Sequence, residues 1–169
     1  MEQENNETNS YLTFKLGKEE FGVHVSQVLN ILEMTKITDV PQSPDFMKGV
    51  INLRGMVLPV IDIRIKFDMQ EIEYTNNTCI IVMDLKMDGD TIHLGSIVDE
   101  VLSVIEIEDK QIEPSPSIGN KYKSRFISGM AKVEEKFVML LDMQKVLTEE
   151  ELTEISDTAQ SNSVQTETN

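Results

Sequence analysis

The sequence contains little of what most catalytic and metal sites need. It has one cysteine, Cys79, two histidines and no tryptophan among 169 residues. A single cysteine cannot form an internal disulfide, and the histidines have no ligand spacing between them. Because Cys79 lies in an apolar run with no histidine close in sequence, we expect it to be a small core residue rather than a nucleophile. No motif predicts a cofactor or a metal ion, and none is expected.

Basic residues and long apolar runs are also scarce. Lysine and arginine together number 15 against 30 acidic residues, which gives a net charge of −15. Such a charge repels nucleic acid and anionic membranes. Apolar runs such as Cys79–Met83 fall short of the roughly 18 residues of a membrane span, and the first residues lack the pattern of a signal peptide. We therefore expect a cytoplasmic protein that binds no nucleic acid and does not insert into a membrane.

What the sequence does contain is a series of short β-strand patterns. Alternating apolar residues predict a hairpin from residues 11–16 and 21–25, and a further strand over 29–34. Ser43–Gly49 has the cap, proline and closing glycine of a single helical turn, and Asp62 is placed to cap a short helix over 63–67. Alternating runs around a turn at Asp88-Gly89-Asp90 repeat the hairpin pattern.

The chain carries this unit twice. One set of residues recurs at a spacing of 73 and a second set at a spacing of 80. The matched pairs are Gly22 and Gly95, Val28 and Val101, Leu29 and Leu102, Ile31 and Val104, Pro41 and Pro114, Gly49 and Gly129, Val60 and Leu140, and Asp62 and Asp142. The repeat predicts two pseudo-symmetric all-β modules, subdomain 1 at about 11–70 and subdomain 2 at about 78–150.

The two ends of the chain differ from the modules in composition. Residues 1–10 and 156–169 are polar and hold almost nothing to bury, which predicts disordered tails. We expect residues 156–169 to be dispensable for partner binding. Between the second module and the last tail, a helical pattern runs over about 143–155 from a cap at Asp142.

One hairpin stands out at residues 49–64, where two apolar runs flank Arg54-Gly55. Gly55 tolerates the positive φ that a tight turn requires, and the turn presents Arg54 outward. A turn arginine is commonly no more than a solvated cation. The repeat, however, places Glu134 and Glu135 at the equivalent positions of the second module. Because the architecture does not require the Arg-Gly pair, the hairpin of the first module is the specialised one.

Five blocks of the sequence resemble the signature blocks of the CheW family, the coupling proteins of bacterial chemotaxis. Together they fall within about residues 11–150, and their order makes the resemblance more specific than any single block. The blocks are Phe21–Val25, Ile37–Pro41, Gly49–Gly55, Leu58–Arg64 and Ile97–Val101.

The resemblance implies a fold and a function. The fold would be two five-stranded SH3-like β-barrels packed together, all-β apart from short helices, with a short C-terminal helix. The function would be that of a non-enzymatic adaptor that binds the cytoplasmic tip of chemoreceptors and the regulatory domain of the histidine kinase CheA. A similar scaffold in a distinct chemosensory pathway is the alternative, and an enzyme of small-barrel fold is a third class.

The resemblance also assigns binding positions. The family's receptor-binding positions correspond to Val28, Asn30 and Arg54, and Gly55 shapes the turn beside Arg54. Positions whose alteration disturbs coupling correspond to Gly49 and Gly95. Exposed apolar positions of the first module are expected to face the kinase, with Ile37 and Val40 as candidates. The family usually has Glu at the position of Asn30, so a charge-pairing role does not transfer to that residue.

Overall fold

The computed structural model describes residues 8–70, 73–114 and 126–157, and these residues form mainly β-strands with a few short helices. The strands are β1 (Thr8–Leu16), β2 (Glu19–His24), β3 (Val28–Glu33), β4 (Met47–Leu53), β5 (Met56–Asp62), β6 (Cys79–Met87), β7 (Asp90–Val98), β8 (Glu100–Glu108), β9 (Ile112–Glu113), β10 (Ile127–Val133) and β11 (Lys136–Leu141). The predicted all-β class with short helices is therefore confirmed.

The strands form two sheets. Sheet A has six strands in the order β8-β1-β2-β11-β10-β9, and sheet B has five in the order β3-β6-β7-β5-β4. Five strands per module were expected, and the sixth in sheet A is the two-residue β9. Its counterpart beside sheet B is a single bridge between Thr38 and Val50.

Each sheet combines strands from both halves of the repeat. The hairpin β1–β2 lies in sheet A between β8 and β11, and the hairpin β6–β7 lies in sheet B between β3 and β5. Val60 pairs with Gly95 in one parallel junction, and Leu140 pairs with Gly22 in the other. Gly95 is the repeat equivalent of Gly22, and Leu140 is the repeat equivalent of Val60. The two parallel junctions therefore join equivalent strands, and the pseudo-symmetry of the sequence extends to the strand pairing. The subdomain boundaries predicted from the repeat stay a prediction, and both sheets cross them.

The buried apolar side chains form three clusters. The main core lies between the two sheets and includes a row of phenylalanines, in which Phe67 contacts Phe21 and Phe126 with ring centroids 5.9 and 5.5 Å apart. Strand β6 is buried on both faces, because Ile81 belongs to the main core and Ile80 to a second cluster, the sheet-B core. A third cluster forms the sheet-A core.

The helices begin at side-chain caps. Helix α1 (Ile63–Lys66) starts where the Asp62 carboxylate accepts from the Arg64 N–H, and helix α2 (Met143–Val146) starts at Asp142 in the same way. The helix predicted over 143–155 is interrupted after α2. A second helical segment covers residues 149–157. It begins at a reciprocal capping box between Thr148 and Glu151, which restarts the helix.

The helical turn predicted at Ser43–Gly49 is wrong. The Met47 N–H donates to the Pro44 carbonyl at 3.0 Å, which closes a β-turn, and β4 begins at Met47. A polar residue followed by proline starts either structure, so the local sequence did not discriminate between them.

The ordered structure reaches beyond the predicted tail boundaries. Strand β1 begins at Thr8, and the last helical segment includes residues 156 and 157. The rest of both predicted tails lies outside the described residues. Within the described ranges, no helix is long and apolar enough to cross a membrane.

Candidate partner-binding surface

The β4–β5 hairpin presents Arg54 at its tip. Leu53 pairs with Met56, and the two residues between them both have positive φ, 52° at Arg54 and 85° at Gly55, as a type I′ turn requires. The Asn52 side chain accepts from the Gly55 N–H at 2.9 Å and fixes the turn. Arg54 is exposed, and no carboxylate of the described residues lies within salt-bridge distance of it. Its guanidinium is available to a partner.

Strand β3 forms one end of sheet B and carries exposed apolar side chains. Val28 pairs with Met83 and Asn30 pairs with Val82, so Leu29 is the extra residue of a β-bulge. Leu29 is 50% exposed and Ile31 is 43% exposed. Neither exposure was predicted, because an alternating apolar strand ordinarily faces a core.

Strand β3 and the Arg54 hairpin meet at one apolar cluster. Leu32 of β3 and Leu53, next to Arg54, both pack against the sheet-B core, as does Ile37. Strands β3 and β4 are four positions apart in the sheet order, roughly 19 Å in a flat sheet. The cluster itself extends across the sheet, with members on β4, β5, β6 and β7. The predicted positions Asn30, Ile37 and Arg54 thus belong to elements that share one cluster.

Gly49 and Gly95 lie inside the fold. A Cβ atom on Gly49, which has a φ of 148°, would overlap the carbonyl oxygen of Thr38. A Cβ atom on Gly95 would lie 2.8 Å from the Ile80 side chain and 3.3 Å from that of Val60. Both positions require the absence of a side chain. A substitution at either residue would therefore affect binding indirectly, by displacing the surrounding backbone and side chains.

The remaining predicted positions are half-buried. Val28 and Val40 pack against the main core, and neither is fully exposed. Ile37 and Val40, suggested as kinase-facing, are less exposed than Leu29 and Ile31. Strand β3 therefore carries more exposed apolar side chains than the segment that follows it.

An ion network around the buried Arg64 joins the two sheets. Arg64 at the start of α1 donates to both oxygens of Asp62 at 3.2 Å and to Asp99, at the β7–β8 junction, at 2.8 Å. The second oxygen of Asp99 accepts from the Gly17 N–H at 2.6 Å. Burial acts to lower the pKa of Arg64, but the hydrogen bonds and charges of the two carboxylates outweigh it and raise that pKa.

The repeat places a similar apolar surface on sheet A. Leu102 and Val104 of β8, the repeat equivalents of Leu29 and Ile31, are 37% and 58% exposed. Strand β8 is the end strand of sheet A, as β3 is of sheet B. Both sheets therefore present an apolar edge at the same place in the repeat.

Comparison with known proteins identifies the family. A family model for the CheW-like domain matches residues 10–151, which is most of the chain. The chain belongs to the CheW family. A curated CheW relative, the chemotaxis protein CheW of Klebsiella aerogenes, is 34% identical over 151 residues, 89% of each chain. The chemotaxis protein CheW of Bacillus subtilis is 34% identical over 139 residues, 82% of this chain and 86% of that protein.

A solved CheW structure has a similar fold. The scaffolding protein TtCheW of Thermoanaerobacter tengcongensis matches with a TM-score of 0.73 and 29% sequence identity. The match covers 82% of this chain and 92% of that one. This protein is thus related to chemotaxis scaffolds in both sequence and fold.

Proposed function

We propose that this CheW-family protein is a non-enzymatic cytoplasmic adaptor that couples chemoreceptors to the histidine kinase CheA. The exposed apolar edge of β3 is the observation that carries the proposal. Leu29 and Ile31 are large apolar side chains on an end strand. Exposed apolar residues on a sheet edge are typical of surfaces that bind another protein.

Strand β3 offers a different surface to each partner. Side chains alternate along a strand, so Asn30 and Ile31 point to opposite faces. Asn30 shares its face with Leu32, which packs on the same core as the residue before Arg54. We assign the Asn30 and Arg54 side to the receptor tip, and the opposite side, which carries Ile31, to the kinase regulatory domain.

Charge reversal at Arg54 tests the receptor side. In a reconstituted mixture of receptor, CheA and this protein, Arg54→Glu should reduce receptor-dependent kinase activation at least tenfold, about 1.4 kcal/mol of lost binding. The variant should unfold at the same urea concentration as the parent, because Arg54 is exposed and makes no ion pair with any described residue. Its affinity for the isolated kinase regulatory domain should not change.

The second module supplies a matched control. Glu134 occupies the position equivalent to Arg54 and also has a positive φ, 59°. Glu134→Arg should leave kinase activation intact. Full activation with Arg54→Glu, or an equal loss with both variants, would contradict the receptor assignment.

A scaffold in a distinct chemosensory pathway is the second candidate. The neutral Asn30 supports it, since the resemblance implies a glutamate at that position in chemoreceptor-binding relatives. Affinity capture with the full chain distinguishes the two candidates. Recovery of a kinase without any chemoreceptor would favour the second pathway.

A further inference from the structure

An apolar pocket of about 350 Å³ opens beside the β2–β11 junction, away from the β3 surface. Its walls come from β2, β10, β11 and the segment after α1, and they include two aromatic and two methionine side chains. The lining residues are Glu19, Phe21, Phe67, Met69, Ile127 and Met139. Glu19 is the charged one among them, and it is exposed.

The repeat assigns this pocket a counterpart on the other sheet. A spacing of 73 takes Glu19 to Ile92, and a spacing of 80 takes Met139 to Pro59. Ile92 and Pro59 also line one cavity, at the β7–β5 junction, and Ser156 of the terminal helical segment lines it with them. The repeat equivalents of three further lining residues, Leu94, Leu147 and Met47, belong instead to the main core, which also contains Leu152 and Ile155 of the terminal segment.

In the second half, the protein fills this place with its own helix. Leu152 and Ile155, three residues apart on the terminal segment, are 2% and 0% exposed in the main core. The segment is also held at its sides, because Glu151 accepts from Lys66 at 2.6 Å and Thr153 contacts Met87. The fold thus demonstrates what a site of this kind accepts, namely one face of an amphipathic helix.

The first half has no such helix among its described residues after α1, where the chain continues toward β6 instead. Residues that line the pocket are correspondingly more exposed than their repeat equivalents. Ile127 and Met139 are half-buried, whereas their repeat equivalents Met47 and Pro59 are buried. Apolar surface that the second half covers is accessible to a partner in the first half.

We propose that this pocket binds an amphipathic helix of a partner protein. The helix inserts two apolar side chains one turn apart between Phe67 and Met139, as Leu152 and Ile155 insert in the second half. A lysine or arginine of the same helix pairs with Glu19. The net charge of −15 favours a basic helix over an acidic one.

A designed peptide tests the proposal on the full chain. The probe is a helical peptide of about 14 residues, four turns, with Leu and Ile spaced as in Leu152 and Ile155 and with lysine at the positions that flank this apolar face. NMR of methyl-labelled methionine should show saturable shifts of Met69 and Met139. The methyl of Met56, which is 50% exposed on another element, should not move.

Matched variants separate the pocket from its surroundings. Met139→Glu should weaken binding of the peptide about tenfold or more, and Met56→Glu should not affect it. Glu19→Gln should weaken binding about threefold, as for a rim ion pair, and Glu20→Gln, on the opposite face of β2, should not. Shifts centred on Met56, equal binding by Met139→Glu, or equal binding of a peptide with glutamate in place of lysine would each overturn the proposal.

Discussion

Arg64 illustrates how a single side chain can differ between two copies of one unit. It is 1% exposed and donates to two carboxylates, so removing it would leave Asp62 and Asp99 without their cation. Its repeat equivalent, Gln144, instead exchanges two hydrogen bonds with the backbone of Lys86. In the second module, the uncharged side chain at this position thus has neutral backbone partners.

We therefore expect Arg64→Gln to lower the free energy of unfolding by about 3 kcal/mol, the effect of removing one member of a buried ion group. Urea unfolding at neutral pH measures the change. Arg54→Gln is the matched control, and it should change stability by less than about 0.5 kcal/mol because Arg54 is exposed. Equal stabilities of the two variants would show that the network contributes nothing.

A second prediction concerns the effect of a side chain at Gly49 on stability. Gly49→Ala places a methyl group against the Thr38 carbonyl and in a backbone conformation that alanine disfavours, so we expect a loss of about 3 kcal/mol or more. Gly55→Ala meets open space and should lose only about 1 kcal/mol, from its positive φ. Thermal or urea unfolding compares them. A Gly49→Ala protein of parental stability that fails to bind partners would instead make Gly49 a direct contact.

At the scale of elements, the terminal helical segment, residues 149–157, links the two sheets. It begins at the Thr148–Glu151 capping box and ion-pairs with Lys66, which also lies 4.9 Å from the Phe46 ring. Burial acts to raise the pKa of Glu151, but the hydrogen bond and charge of Lys66 together with the hydrogen bonds of Thr148 outweigh it and lower that pKa. The ionised carboxylate therefore stabilises the folded state.

This lowered pKa sets the pH dependence of stability. At neutral pH, Glu151→Gln should reduce the free energy of unfolding by about 1 kcal/mol, because glutamine keeps the capping box but loses the ion pair. The difference should persist down to the ordinary glutamate pKa of 4.5 and shrink as the pH falls through the lowered folded-state value. Urea unfolding from pH 7 to pH 3 measures it. Exposed Glu150 provides the control, and a difference that grows on acidification would contradict the assignment.

The sequence predicted elements that depend on nearby residues better than it predicted contacts between residues far apart in the chain. Hairpins, the Arg54-Gly55 turn and the caps at Asp62 and Asp142 depend on residues close in sequence, and the structure contains each of them. The bulge at Leu29 was not predicted, because it is defined by the register with β6, about 50 residues away. The Arg64 network was missed for the same reason, since Asp99 lies 35 residues further along the chain, at the β7–β8 junction.

The whole molecule is bound together by the exchange of hairpins between its halves. Neither half of the repeat can complete a sheet, because β1–β2 needs β8 and β11, and β6–β7 needs β3 and β5. The main core lies between the sheets and draws on both halves. The repeat is therefore not a pair of independent domains.

We predict that fragments 1–77 and 78–169 will each fail to fold alone and will form a native complex when mixed. Circular dichroism and amide NMR of each fragment and of the mixture provide the measurement. Each fragment leaves sheet edges and part of the main core exposed, which a domain this small cannot sustain. A cooperative unfolding transition in either isolated fragment would contradict this prediction.

The same exchange has a consequence during protein synthesis. The hairpin β1–β2 is complete at His24, but its neighbour β8 begins at Glu100 and its other neighbour β11 ends at Leu141. At translation rates of roughly 5–20 residues per second, the nascent hairpin waits on the order of ten seconds for its sheet. During that interval its edges and its apolar face are available to chaperones, and to neighbouring chains on the same messenger.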